Sequence, residues 1–232
     1  MRTQQEVWLR EHTDQVALPT MANVEPASGV VKFVEWLRSQ HVPLRGKAID
    51  IGCGKGRNTA YLASVGLNAE AIDYIEPALA VARQLAHDRG FTDRIEFIQS
   101  EIDQRWPFDD CTFDLAVDSF SSIDIETLHG REIYRDELLR TLKPGGYALV
   151  TVVSADDEWE RERIASHPGP EPHSTVWPET GKFQKDYTEP ELRQFYAPFE
   201  IIALETVQKP TVKLGRRGIA TDFWVVLSKP SV

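Results

Sequence analysis

The sequence predicts an α/β fold built on a mostly parallel sheet with helices on both faces, and three observations carry that expectation. Short apolar runs of strand length recur at 47–51, 68–73, 95–99, 113–118 and 147–153. Helical patterns separate most of these runs, and β-α-β-α order places strands parallel under helical cover. The chain has 232 residues, 41% hydrophobic and 27% charged, which suits one large domain able to bury a full core.

The elements follow in order. The runs at 47–51 and 68–73 flank a glycine-rich turn and a helical pattern. The next helix opens at Pro77, where proline loses no needed N–H, and Leu79, Ala82 and Ala86 recur on one face. After the runs at 95–99 and 113–118, a helix over about 132–142 stops at Lys143-Pro144-Gly145-Gly146, which turns the chain into the run at 147–153. Pro168, Pro170, Pro172 and Pro178 then interrupt 166–181, which reads as an irregular insertion of the kind that often carries function. A short helix at 190–196 precedes two strands, 200–207 and 219–227, whose close connection makes them antiparallel neighbours.

Composition excludes several classes. No apolar run approaches the ~20 residues needed to span a bilayer. Residues 1–10 are polar and acidic where a secretory signal would be apolar, so the expected location is the cytoplasm. Cys53 and Cys111 are too few for a disulfide framework or a cysteine zinc cluster. Twenty-six basic residues against thirty-six acidic leave a net charge of −10, which disfavours a nucleic-acid partner. Lys209, Lys213, Arg216 and Arg217 form a local basic stretch, read as a solvated hairpin turn with an anion-binding lip as the alternative.

The segment Asp50-Ile51-Gly52-Cys53-Gly54-Lys55-Gly56-Arg57-Asn58 runs from a strand through glycines into a helix. Glycines let a ligand approach bare backbone, and the helix start offers unpaired N–H groups, so this is a nucleotide-type site. The next strand ends in Asp73, placed to accept both hydroxyls of a ribose. A dinucleotide fingerprint would need its third glycine at position 57, which is arginine, and this argues against a nicotinamide oxidoreductase.

The spacing Gly52, Gly54, Gly56 behind Asp50 resembles motif I of the class I S-adenosylmethionine-dependent methyltransferases. Three further segments resemble that family in order: Asp73-Tyr74-Ile75-Glu76-Pro77, Trp106-Pro107-Phe108-Asp109 through Phe113-Asp114-Leu115, and Arg140-Thr141-Leu142-Lys143-Pro144-Gly145-Gly146. The resemblance implies a Rossmann-like seven-stranded sheet in which the C-terminal hairpin supplies an antiparallel strand beside the fifth. It divides one domain into an N-terminal helix or lid (1–45), a cofactor-binding core (46–153), a substrate-side insertion (154–187) and a C-terminal helix and hairpin (188–232). Gly56-Arg57-Asn58-Thr59 and Phe183-Gln184-Lys185-Asp186-Tyr187-Thr188 are also similar to the tellurite-resistance and thiopurine-type branch.

The roles implied are those of S-adenosylmethionine binding, with S-adenosylhomocysteine as product. Gly52, Cys53, Gly54, Gly56 and Asn58 belong to the cradle, Asp50 helps to hold the ammonium, Asp73 takes the ribose and Tyr74 packs on the adenine. Glu101 and Asp103 both stand where the family places an adenine-binding carboxylate. Glu101 is favoured, with Ile102 beside the ring, because it lies just beyond its strand. Asp118 and Ser119 end the fourth strand at the mouth of the sheet. Cys53 reads as packing rather than as a nucleophile.

The acceptor implied is a small molecule methylated at O, N or S by in-line displacement. His129 is the histidine best placed for a general base, against the reading of an exposed helix-start residue. Trp8 and His12 are candidates for an amino-terminal lid, and Trp159 and Trp177 for the acceptor pocket, each weighed against plain packing. The six histidines show no H-x-x-x-H pair, so no metal is expected. A protein acceptor and a non-catalytic S-adenosylmethionine-binding regulator are the alternatives.

Overall fold

The computed structural model describes residues 3–14, 23–213 and 216–231. Among the described residues nine strands form: β1 (Lys47–Ile51), β2 (Asn68–Asp73), β3 (Ile95–Gln99), β4 (Phe113–Ser119), β5 (Leu142–Val153), β6 (Ser174–Val176), β7 (Phe183–Lys185), β8 (Glu200–Lys213) and β9 (Arg216–Ser228). The described α-helices are α1 (Thr3–Asp14), α2 (Ser28–Ser39), α3 (Arg57–Ser64), α4 (Glu76–Asp88), α5 (Leu128–Thr141), α6 (Glu158–Ser166) and α7 (Glu189–Phe195). The main sheet has the order β3-β2-β1-β4-β5-β9-β8. β1 to β5 pair in parallel, and β9 runs antiparallel to both β5 and β8.

Alternation along the strands sorts side chains to two faces. Ala48, Leu115, Val117 and Leu149 pack against Val30, Phe33, Val34 and Leu37 of α2 and Leu62 of α3. Ile49, Ile51, Ala116 and Val150 face the other way, onto Tyr134 and Leu138 of α5 and Leu192 of α7. The sheet is therefore covered on both sides, as its apolar strands require. The region before residue 46 is more than a lid, because α2 is amphipathic and closes one core.

Four sequence expectations shift. α5 begins at Leu128, not near 132, since Thr127 caps it by accepting from the Gly130 amide. β5 begins at Leu142, so the Lys143-Pro144-Gly145-Gly146 turn lies within a strand that shifts register against β4. The proline-rich segment is not irregular throughout: β6 forms inside it and pairs antiparallel with β7. Neither three-residue strand is long enough to carry a period of its own. The basic residues lie on strands instead of in a turn, with Lys209 paired to Asp222 and Arg216 to Glu162; part of the connection between them falls outside the described residues.

Chain direction reverses between β1 and β4. From β1 the chain winds outward to β2 and β3, whereas β4 leads to β5 on the other side, so the carboxyl ends of β1 and β4 open a crevice. The insertion returns to this edge, where Tyr187 N–H donates to Val153 O and Ala155 N–H to Tyr187 O.

Candidate active site

The crevice is the mouth of a cavity of about 1600 Å³. Its floor is the loop after β1. Gly52, Gly54 and Gly56 have φ of 65°, 53° and 77°, a region that side chains resist. The two later glycines serve different ends. A Cβ on Gly54 would meet His12 Cε1 at 3.2 Å, on the cavity side, whereas one on Gly56 would strike Ala82 Cβ at 2.8 Å, between α3 and α4. Gly54 thus keeps backbone open to a ligand, and Gly56 permits helix packing.

Asp73, at the tip of β2, is fixed by the loop it faces. Its Oδ2 accepts from Gly54 N–H and its Oδ1 from Ile75 N–H, both at 2.8 Å. A carboxylate offers about four lone-pair sites, so about two are left for a ligand. Burial raises the Asp73 pKa against the pull of those amides. Tyr74, Glu101, Ile102 and Asp103 continue this wall, and Glu101 accepts from Gln5 Nε2 at 2.8 Å.

The roof is α1. Gln4 clamps it to the insertion, donating to Gly181 O at 2.8 Å and accepting from Phe183 N–H at 3.0 Å. Trp8 and His12 project from it into the cavity lining. Burial, with Lys55 nearby, pushes the His12 imidazole down to about 4, so it is neutral at pH 7, and its Nδ1 has no hydrogen-bond partner among the described residues.

The sequence candidates divide into two groups. Gly52, Cys53, Gly54, Asn58, Asp73, Tyr74, Glu101, Ile102, Ser119, His129, Trp8, His12 and Trp177 all line the cavity. Asp50, Gly56, Asp118 and Trp159 lie outside that lining. Asp50 is buried and accepts from Thr59 Oγ1 at 2.5 Å, and burial pushes it up to about 7. Asp118 accepts from Ser121 N–H and Tyr134 O–H at 2.7 Å each, holding the turn after β4. Trp159 packs under the hairpin, where a Cβ on Gly218 would meet its ring at 2.7 Å. Burial raises the Cys53 thiol, which keeps it protonated and fits a packing role. His129 stands at the rim, with its side chain 84% exposed and 3.9 Å from Glu132.

Sequence reasoning missed the far wall. Asp124, on a short 3-10 turn after β4, and Lys182, before β7, form an ion pair at 3.1 Å with side chains 12% and 8% exposed. Burial pushes Asp124 up to about 7 even though Lys182 pulls it down. Lys182 Nζ also lies 4.8 Å from the centre of the Trp177 ring and 5.2 Å from that of Trp8. Lys185-Asp186 beside Gln184 showed a polar insertion, but nothing local tied Lys182 to Asp124.

The pattern of the methyltransferase domain family matches residues 48–146, the stretch that builds the floor and the Asp73 wall. Residues 48–146 therefore carry a methyltransferase domain of the class I S-adenosylmethionine-dependent kind. Among curated methyltransferases the chain is 39% identical over 111 residues to the demethylmenaquinone methyltransferase of Clavibacter sepedonicus, covering 47% of this chain and 42% of that protein. The chain therefore spans less than half the length of that relative. The crystal structure of a methyltransferase of this family from Methanosarcina mazei superposes with a TM-score of 0.72 at 25% identity, over 84% of this chain and 97% of that one. The 1,6-didemethyltoxoflavin-N1-methyltransferase of Burkholderia thailandensis, crystallised with 1,6-didemethyltoxoflavin and S-adenosylhomocysteine, shares the fold, with a TM-score of 0.71 at 17% identity over 98% and 88%.

S-adenosylmethionine is the cofactor of class I methyltransferases, and the residues present suit it. Gly54 leaves backbone bare, Asp73 has acceptor capacity to spare, and Asp73, Glu101 and Asp103 set negative charge beside the loop where a cationic ligand would lie. Among the described residues no helix is long and apolar enough to cross a membrane.

Proposed function

We propose that this protein transfers the methyl group of S-adenosylmethionine to an O, N or S atom of a small-molecule acceptor held in the same cavity. The observation that carries the reading is the Asp73 carboxylate, locked by the Gly54 and Ile75 amides with its remaining capacity at the crevice. The sulfonium supplies an electrophilic methyl carbon, so the protein's task is to position the acceptor and exclude water. Gly52, Cys53, Gly54 and Asn58 hold the amino-acid side of the cofactor, Asp73 the ribose, and Tyr74, Glu101 and Ile102 the adenine. Ser119 closes the floor. α1, clamped by Gln4 to the insertion, roofs the cavity and shields the reaction from solvent.

A small acceptor is favoured because the roof and the insertion meet. Arg10 donates to Thr180 O at 3.0 Å and Gln4 bridges to Gly181 and Phe183, leaving a chamber instead of an open groove. His129, exposed at the rim, serves any acceptor less well than a buried group would. The test is calorimetry of S-adenosylhomocysteine with the purified protein, followed by a small-acceptor screen read by its release from S-adenosylmethionine. Micromolar binding with turnover on a screened acceptor supports the reading, and absence of binding overturns it.

A further inference from the structure

We propose that Asp124, Lys182 and Trp177 form the acceptor subsite, and that it takes a planar aromatic ring bearing a hydroxyl group. The inference rests on the methyl-transfer reading and names its substrate class. Its starting point is a set of buried polar atoms on the cavity wall whose hydrogen-bonding capacity is unused. Trp177 is 5% exposed, yet its Nε1 donates to nothing among the described residues. Asp124 Oδ1 sits 3.1 Å from Lys182 Nζ in a buried ion pair, and its carboxylate keeps lone pairs beyond that contact. Such groups are costly to bury unless a ligand completes them.

The required ligand follows from the donors and acceptors. Asp124 can accept a further donor beside Lys182 and Trp177 needs an acceptor, and a hydroxyl supplies both. A thiol does each weakly, an aromatic amine donates but accepts poorly, and a carboxylate would be repelled by Asp124. Lys182, wedged against the Trp8 and Trp177 rings and held by Gln184 Oε1 at 3.1 Å, places a positive charge where the acceptor oxygen becomes electron-rich. Trp8, Phe120 and Ile125 give the chamber apolar walls suited to a flat ring.

The transfer step balances on these groups. The hydroxyl gives its proton to Asp124 while an oxygen lone pair forms the new C–O bond with the methyl carbon. The C–S electron pair returns to sulfur, and Asp124 later releases the proton to solvent.

The experiment uses the full chain saturated with S-adenosylhomocysteine and three probes of one shape, 7-hydroxycoumarin, 7-aminocoumarin and coumarin, each titrated by calorimetry. Wild type should bind 7-hydroxycoumarin about tenfold more tightly than the other two. Asp124→Asn and Lys182→Met, which remove the two halves of the same ion pair, should each reduce that preference below about threefold, with S-adenosylhomocysteine affinity unchanged within about twofold. Lys182→Arg should restore most of it, which a purely structural role for the pair would not require. Equal affinities for the three probes in wild type, or a preference that survives in whichever of the two variants folds, overturns the proposal. Failure of wild type to bind S-adenosylhomocysteine would instead overturn the methyl-transfer reading.

Discussion

Replacing Asp73 by asparagine isolates the contact that the cofactor assignment needs. The carboxylate uses one oxygen for Gly54 N–H and the other for Ile75 N–H, each at 2.8 Å. Asparagine keeps the size but has one carbonyl oxygen, so one of those amides would face an NH2 group and lose its acceptor. The charge that would strengthen the ribose contacts disappears with it. Hydrogen bonds to a charged group contribute about 1.5–3 kcal/mol each, so two ribose hydroxyls at the lower figure give about 3 kcal/mol, or a weakening of roughly 100-fold. Calorimetry of S-adenosylhomocysteine against both proteins measures this. The same titration with the 2′-deoxy analogue closes a cycle: wild type should lose affinity on removal of the hydroxyl, and the variant should lose much less. Thermal melting of the ligand-free proteins separates binding from folding. Affinity within threefold of wild type, in a variant that melts normally, would refute the argument.

Two other outcomes follow from the same geometry. The Asp50 carboxyl is raised from an ordinary value near 3.8 to about 7, so the folded state holds its proton where the unfolded chain has released it. Its contribution to stability is complete below the unfolded value and disappears as pH rises through about 7. Asp50→Asn, which can still accept from Thr59, should therefore flatten the fall in melting temperature between pH 4 and 8, and should exceed wild type at pH 8 by on the order of a few kcal/mol. A parallel pair of pH curves would count against it. Gly56→Ala must hold a left-handed φ and push its Cβ to 2.8 Å from Ala82, so chemical denaturation should show a loss of about 3 kcal/mol. An unchanged midpoint would show that α3 and α4 can separate.

The sequence by itself located the glycine-rich floor of the crevice and the acid beside it. The turn Gly52-Cys53-Gly54-Lys55-Gly56 and the acid at Asp73 are local signals, because a strand-end loop and the tip of the neighbouring strand are joined by one crossover. Their spacing along the chain maps directly onto space. The five parallel strands were legible for the same reason, and so was the antiparallel hairpin joined by a short connection. Tertiary structure decided what spacing could not encode. It turned Asp50 and Asp118 inward to hold Thr59 and the β4 turn, set Gly56 against Ala82, and left His129 at the rim. It also brought Asp124 from the end of β4 against Lys182 from the insertion, beneath a helix from the far amino terminus. Those partners meet only after the sheet has formed and the β6–β7 pair has folded back over its edge. An ion pair between distant segments has no period and no motif, and only burial of both charges in one wall marks it as a site.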